Sequence, residues 1–113
     1  MALRDVYNQI VGHFRDFVEK RDLRHLQRGF DEVARAFKIY IEPVIPMIAA
    51  FRESRERDQA ELTWIAGGKV YRLKLLYMEV TAMDGEEKEM MCINITADGE
   101  TIADACISAR KQP

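Results

Sequence analysis

From Leu3 to Val18 the apolar side chains fall at Leu3, Val6, Tyr7, Ile10, Val11, Phe14, Phe17 and Val18, the i, i+3, i+4, i+7 stripe of an amphipathic helix. Arg4, Asp5, Asn8, Gln9, Arg15, Asp16 and Glu19 form the opposite, solvated side. A second stripe, Leu23, Leu26, Phe30, Val33, Ala34, Phe37 and Ile41, predicts a second helix, and Asp22 is placed to cap its first turn. Gly29 lies inside that helix and weakens it by about 1 kcal/mol relative to alanine. Pro43 and Pro46 disfavour helix at Glu42 and Ile45, so "EPVIPM" reads as a break, with a third helix expected from near Pro46 to about Arg57. The first turns of that helix, Met47 to Phe51, are apolar on nearly every side and need cover from more than one direction, either from the sheet and the other helices or around a ligand cavity.

After Asp58 the period changes to two, with β-branched and aromatic residues bounded by "GG", "DG" and "DG". Three turns join four strands. A two-residue Gly67-Gly68 hairpin sets Trp64 opposite Tyr71, Leu62 opposite Leu73 and Ala60 opposite Leu75. For the other two turns, three-residue loops ending in a left-handed glycine, Met83-Asp84-Gly85 and Ala97-Asp98-Gly99, give the register that gathers the large apolar residues on one side. This register sets Tyr77 opposite Met91, Leu75 opposite Ile93 and Leu73 opposite Ile95, then Ile95 opposite Thr101, Ile93 opposite Ala103 and Met91 opposite Ala105. The last segment, Thr101 to Arg110, reads as the fourth strand, with a short helix as the alternative. The expected fold is therefore α+β: two to three N-terminal helices packed on one face of a C-terminal four-stranded antiparallel β-meander. Residues 1–113 are read as one domain, with a helical half at about 2–57 and a sheet half at about 60–109.

The second face of this sheet does not alternate to polar throughout, as an antiparallel sheet with one solvated side normally does. Leu76, Met78, Met90, Cys92 and Cys106 form an apolar patch in this register, with Cys106 opposite Met90 and with Arg72, Lys74, Asn94, Thr96 and Asp104 along its border. A rimmed apolar patch rich in methionine is the pattern of a protein interface. The expected occupant is a second copy in a two-fold dimer, with another protein, or the chain's own tail or a helix, as the alternatives.

Composition narrows the chemistry. With 113 residues, 48% of them hydrophobic, the chain can bury one core. Seventeen basic and nineteen acidic residues leave a net charge of −2, so neither nucleic acid nor an anionic membrane is an expected partner. No stretch has the form of a secretory signal, and the longest apolar run, Val44 to Phe51, is far short of the roughly 20 residues of a membrane span. The expected location is the cytoplasm, with Cys92 and Cys106 as buried, inert thiols in neither a zinc spacing nor a disulfide scaffold.

The rhyming turns "AMDGEE" and "ADGET" each offer one aspartate, with Glu86 and Glu87 beside the first and Glu100 beside the second, which lacks the alternating oxygen ligands of a cation loop, so no metal is expected. "WIAGGKVY" lacks the spacing of a phosphate-binding loop, and no nucleophile, zinc or dinucleotide motif is present, so no catalytic residue and no cofactor is assigned. His13 and His25 lie on two different helices without a shared carboxylate partner. In order of elements and in length the chain resembles the cone-shaped nuclear-transport-factor and ketosteroid-isomerase superfamily, with "FVEKRDLRHLQRGF" similar to its opening helix pair. That resemblance implies helices folded over a curved sheet around a small pocket. No catalytic motif of the superfamily can be laid on the chain. The leading expectation is thus a non-enzymatic interaction or assembly domain that homodimerises through the second sheet face. The alternative is a small apolar-ligand-binding protein or enzyme with a pocket among Phe51, Trp64, Tyr71 and Tyr77.

Overall fold

A computed structural model describes residues 2–41, 48–54 and 56–111. Two helices, α1 (Leu3–Lys20) and α2 (Leu23–Phe37), precede five strands, β1 (Ile48–Ser54), β2 (Gln59–Ala66), β3 (Lys69–Thr81), β4 (Glu87–Ala97) and β5 (Glu100–Arg110). The strands form one antiparallel meander in the order β1-β2-β3-β4-β5. The fold class is α+β, with five strands rather than four.

The start of α2 and the end of α1 have local causes. Asp22 accepts a hydrogen bond from the Arg24 N–H at 3.0 Å and so caps α2. Arg21 takes the left-handed conformation (φ 54°) and donates its N–H to the Phe17 carbonyl, which closes α1. Ala2, at the N-cap of α1, supplies no side-chain cap. The missing acceptor comes from the sheet: Glu89 on β4 takes the Leu3 N–H at 3.2 Å and the Arg4 N–H at 3.4 Å.

The two helices cover one face of the sheet. Ile10, Phe14 and Val33 meet Leu62, Leu73, Leu75, Met91, Ile93 and Ile95 in a continuous buried core. Gly29 belongs to this contact rather than being a tolerated weakness, because a Cβ there would stand closer to the Phe14 ring than carbon atoms pack. Gly29→Ala is therefore expected to destabilise by about 1–3 kcal/mol despite alanine's better helix propensity, read as a lower denaturant midpoint at unchanged slope.

The expected third helix is a strand. Ile48–Ser54 pairs with β2, Phe51 opposite Leu62 and Glu53 opposite Ala60, so the sheet begins well before residue 60. Ala49, Phe51 and Glu53 share the side that faces the helices, while Ala50 and Arg52 share the other side. Glu53 reaches the rim of α1, where Arg15 holds it through two hydrogen bonds at 2.9 and 2.6 Å. A glutamate facing the helices and an alanine facing out hide the alternation from the sequence. The expected break at residues 42–47 lies outside the described residues.

The registers of β2 with β3 and of β3 with β4 are those the sequence predicts, including Trp64 opposite Tyr71 and Tyr77 opposite Met91. The Met83-Asp84-Gly85 loop closes with Gly85 left-handed (φ 83°), and Asp84 accepts the Glu86 N–H at 2.9 Å. The β4–β5 register differs from expectation. Its loop has two residues, Asp98 (φ 49°) and Gly99 (φ 84°), and a bulge follows, with Thr96 opposite Thr101 but Ile95 opposite Ala103. Asp98 tolerates the left-handed conformation because it clasps β3: its N–H donates to the Val70 carbonyl at 2.8 Å, and its Oδ1 accepts the Val70 N–H at 2.9 Å.

The bulge slides β5 by two residues and brings Cys106 opposite Cys92 rather than opposite Met90. The two cysteines form a disulfide across the strands, which replaces the expected pair of free thiols.

Candidate functional site

The open face of the sheet, away from α1 and α2, is assembled by strand alternation alone. Its rows run across the strands as Arg52, Glu61, Lys74, Asn94 and Asp104, then Ser54, Gln59, Leu76, Cys92 and Cys106, then Met78, Met90 and Ser108. The face is thus divided into a charged middle and an apolar end. Leu76, Met78, Met90 and Cys92 are half-buried and contiguous, and Cys106 is exposed beside Cys92. At the far end of the same face Ile65 and Val70 pair with each other and are 39% and 46% exposed, which adds a second, smaller apolar area.

The charged middle encloses a concavity of about 540 Å³. Arg52, Glu61, Lys74 and Asp104 line it together with the short side chains of Ser54 and Asn94. Leu75 and Ile93 also line it, and because their side chains enter the core, their backbone forms its floor. Arg72 lies beside it, paired with Glu61 at 3.2 Å. Sequence reasoning missed Arg52 as a member of this face because it placed residue 52 in a helix. No period-two signal marked it, since Ile48 to Phe51 are apolar at every position.

The four residues expected around a ligand pocket lie on the helix side of the sheet. Trp64 and Tyr71 stack with centroids 5.2 Å apart and planes 9° apart, and Phe30 meets Trp64 edge-on at 5.6 Å. Tyr77 lies against Tyr7 at 5.9 Å, and Phe51 is half-buried on β1. None of the four lines the open-face concavity or the smaller one of about 340 Å³ between α1 and the β1–β2 turn.

A polar cluster closes one end of the helix layer. Arg4 forms a two-pronged ion pair with Asp58, both bonds at 3.1 Å, and its guanidinium sits 4.3 Å above the Tyr77 ring. The Tyr77 hydroxyl donates to the buried Glu89 carboxylate at 2.8 Å. Burial, with Glu89 beside it, pushes the Tyr77 hydroxyl up to about 12. Burial also pushes Glu89 upward, but the hydrogen bonds from Tyr77, Leu3 and Arg4 outweigh it and hold the carboxyl below the usual carboxylate range. By accepting from the Tyr77 hydroxyl of β3 and from two N–H groups of α1, the Glu89 carboxylate ties the helix layer to the sheet.

Among the described residues no three His, Cys, Asp or Glu side chains converge as a cation site, and no helix is long and apolar enough to cross a membrane. Neither protein-family models nor curated proteins nor solved structures yield a match to this chain.

Proposed function

We propose that the protein is a non-enzymatic interaction domain that homodimerises through the apolar end of its open sheet face. The observation that carries this reading is the contiguous half-buried row of Leu76, Met78, Met90 and Cys92 on the side of the sheet away from both helices. Unbranched methionines adapt to a facing surface, and burying such a patch against its own copy satisfies both at once. Two sheets meeting at this end, aligned within about 30°, leave the charged middle of each face open to solvent.

Sedimentation velocity at micromolar concentration is expected to give twice the 13.1 kDa chain mass. Met78→Asp is expected to give a monomer of unchanged far-ultraviolet circular dichroism, since a carboxylate buried in that contact costs several kcal/mol. A wild-type monomer at micromolar concentration, or a Met78→Asp protein of undiminished mass, removes the reading.

The concavity between Arg52 and Asp104 favours a second reading, a site for a small ligand, because its volume lies within the usual range for such sites, roughly 300–1,000 Å³. Both charge signs line it, so a ligand bearing an amine as well as an acid group would find partners for each.

A further inference from the structure

The meander leaves β5 as an edge strand of eleven residues, Glu100–Arg110, and its backbone shows which groups are unpaired. The Lys111 N–H donates to the Glu87 carbonyl at 3.1 Å, so Ala103, Ala105, Ile107 and Ala109, on the Lys111 side of the bulge, exchange hydrogen bonds with β4. The alternate positions, Asp104, Cys106 and Ser108, aim N–H and C=O away from the sheet. The Cα separation of 4.1 Å between Cys92 and Cys106 agrees, being that of a pair without mutual hydrogen bonds.

Natural edge strands are blunted by short length, charged side chains, proline or a bulge that twists the edge away. β5 has a single charge, Asp104, between its terminal Glu100 and Arg110, it has no proline, and its bulge lies at the start, which leaves Ala103 to Ser108 regular. The disulfide to Cys92 holds this stretch in place. Its helix-side residues Ala103, Ala105 and Ile107 are half-buried, so the core is only partly covered along this edge.

We infer that β5 is a second self-association surface, pairing antiparallel with β5 of another copy about a two-fold axis at Ala105. The strand is self-complementary in that register. Ile107 meets the partner's Ala103, large against small, and Asp104 meets the partner's Cys106 instead of its own copy. The ends carry opposite charges, so antiparallel apposition brings Arg110 toward the partner's Glu100 while a parallel one would set like charges together. Pairing extends the five-stranded sheet to ten strands and shields the half-buried helix-side row.

This contact is independent of the open face. It has few side chains to bury, so it is the weaker of the two and forms near millimolar concentration. The test is therefore made in the Met78→Asp protein, where the face is blocked. Amide exchange of Asp104, Cys106 and Ser108, followed by NMR from dilute to near-millimolar protein, is expected to slow by at least about tenfold, while the inward amides of Ala105 and Ile107 are protected throughout. Ser108→Pro, and separately Asp104→Pro, remove an N–H that bonds only across the new interface, so each is expected to fold normally and abolish the concentration dependence. Exchange at those three amides that stays fast at every concentration overturns the inference and leaves the face reading standing. The inference is equally overturned if both proline variants keep the concentration dependence of the Met78→Asp parent.

Discussion

Trp64→Ala is expected to lower the unfolding free energy by about 3–5 kcal/mol, measured by urea denaturation. Trp64 is 4% exposed and joins the helix layer to the sheet: Phe30 of α2 packs edge-to-face with it, Tyr71 lies flat against it on the next strand, and Phe14 of α1 packs on Phe30 at 5.4 Å. Deleting the indole removes both aromatic contacts and leaves a void that the surrounding β-sheet is too stiff to fill. Trp64→Phe keeps the stack and most of the volume, and is expected to recover more than half of the loss. A domain of ordinary stability, about 5–15 kcal/mol, would survive Trp64→Ala with its transition shifted well down the denaturant axis. A loss below about 1 kcal/mol would mean that helix and sheet are not joined through this residue.

Glu89→Ala is expected to cost about 2–4 kcal/mol, a large effect for a single polar residue. The carboxylate serves as the cap that α1 lacks and as the nearer acceptor for the buried Tyr77 hydroxyl, so its removal leaves the Leu3 and Arg4 N–H groups without their acceptor and the hydroxyl with only its longer bond to Glu79 at 3.3 Å. Glu89→Gln keeps an acceptor but not the negative charge at the helix N-terminus, and is expected to fall in between. The pH dependence follows from the carboxyl being held below the usual range in the folded chain. Its contribution is complete above the unfolded value of about 4.3 and is lost as pH falls below that toward the folded value. Denaturation midpoints measured from pH 6 to pH 3 should therefore fall less steeply for Glu89→Gln than for the wild type. Parallel curves would show that the carboxylate is not the group being titrated.

Most of the fold was legible because one rule, that a sheet face must bury its large apolar residues, decided the register wherever such residues stood on both strands. Leu73, Leu75 and Tyr77 opposite Ile95, Ile93 and Met91 left a single acceptable pairing. The rule loses force on β5, where Ala103 and Ala105 bury little and a slide of two residues changes almost nothing in apolar content. Turn chemistry made the difference there, since Asp98 adopts the left-handed conformation and the bulge absorbs the extra residue. The disulfide was hidden for the same reason, as its two sulfurs meet only in the bulged register. β1 was hidden because its inward positions include Glu53, whose charge is met at the rim of α1 by Arg15, an interaction with no local signature. Glu89 was overlooked because a charge at an inward strand position contradicts the alternation unless a helix terminus lies above it. The open-face residues Leu76, Met78, Met90 and Cys92 were found together because alternation alone places them.

Asp98 also makes the two ends of the sheet unequal as places to open the chain. At one end its backbone and carboxylate clasp Val70, so the tip of one hairpin is tied to the strand of another. At the other end Met83 protrudes fully into solvent from a turn closed by its own residues. A protease cut or an inserted peptide between Met83 and Gly85 disturbs one turn, as exposed loop tips generally allow. The same change at Asp98 separates three strands at once, which makes the Met83 turn the natural place to graft a tag or a fused domain.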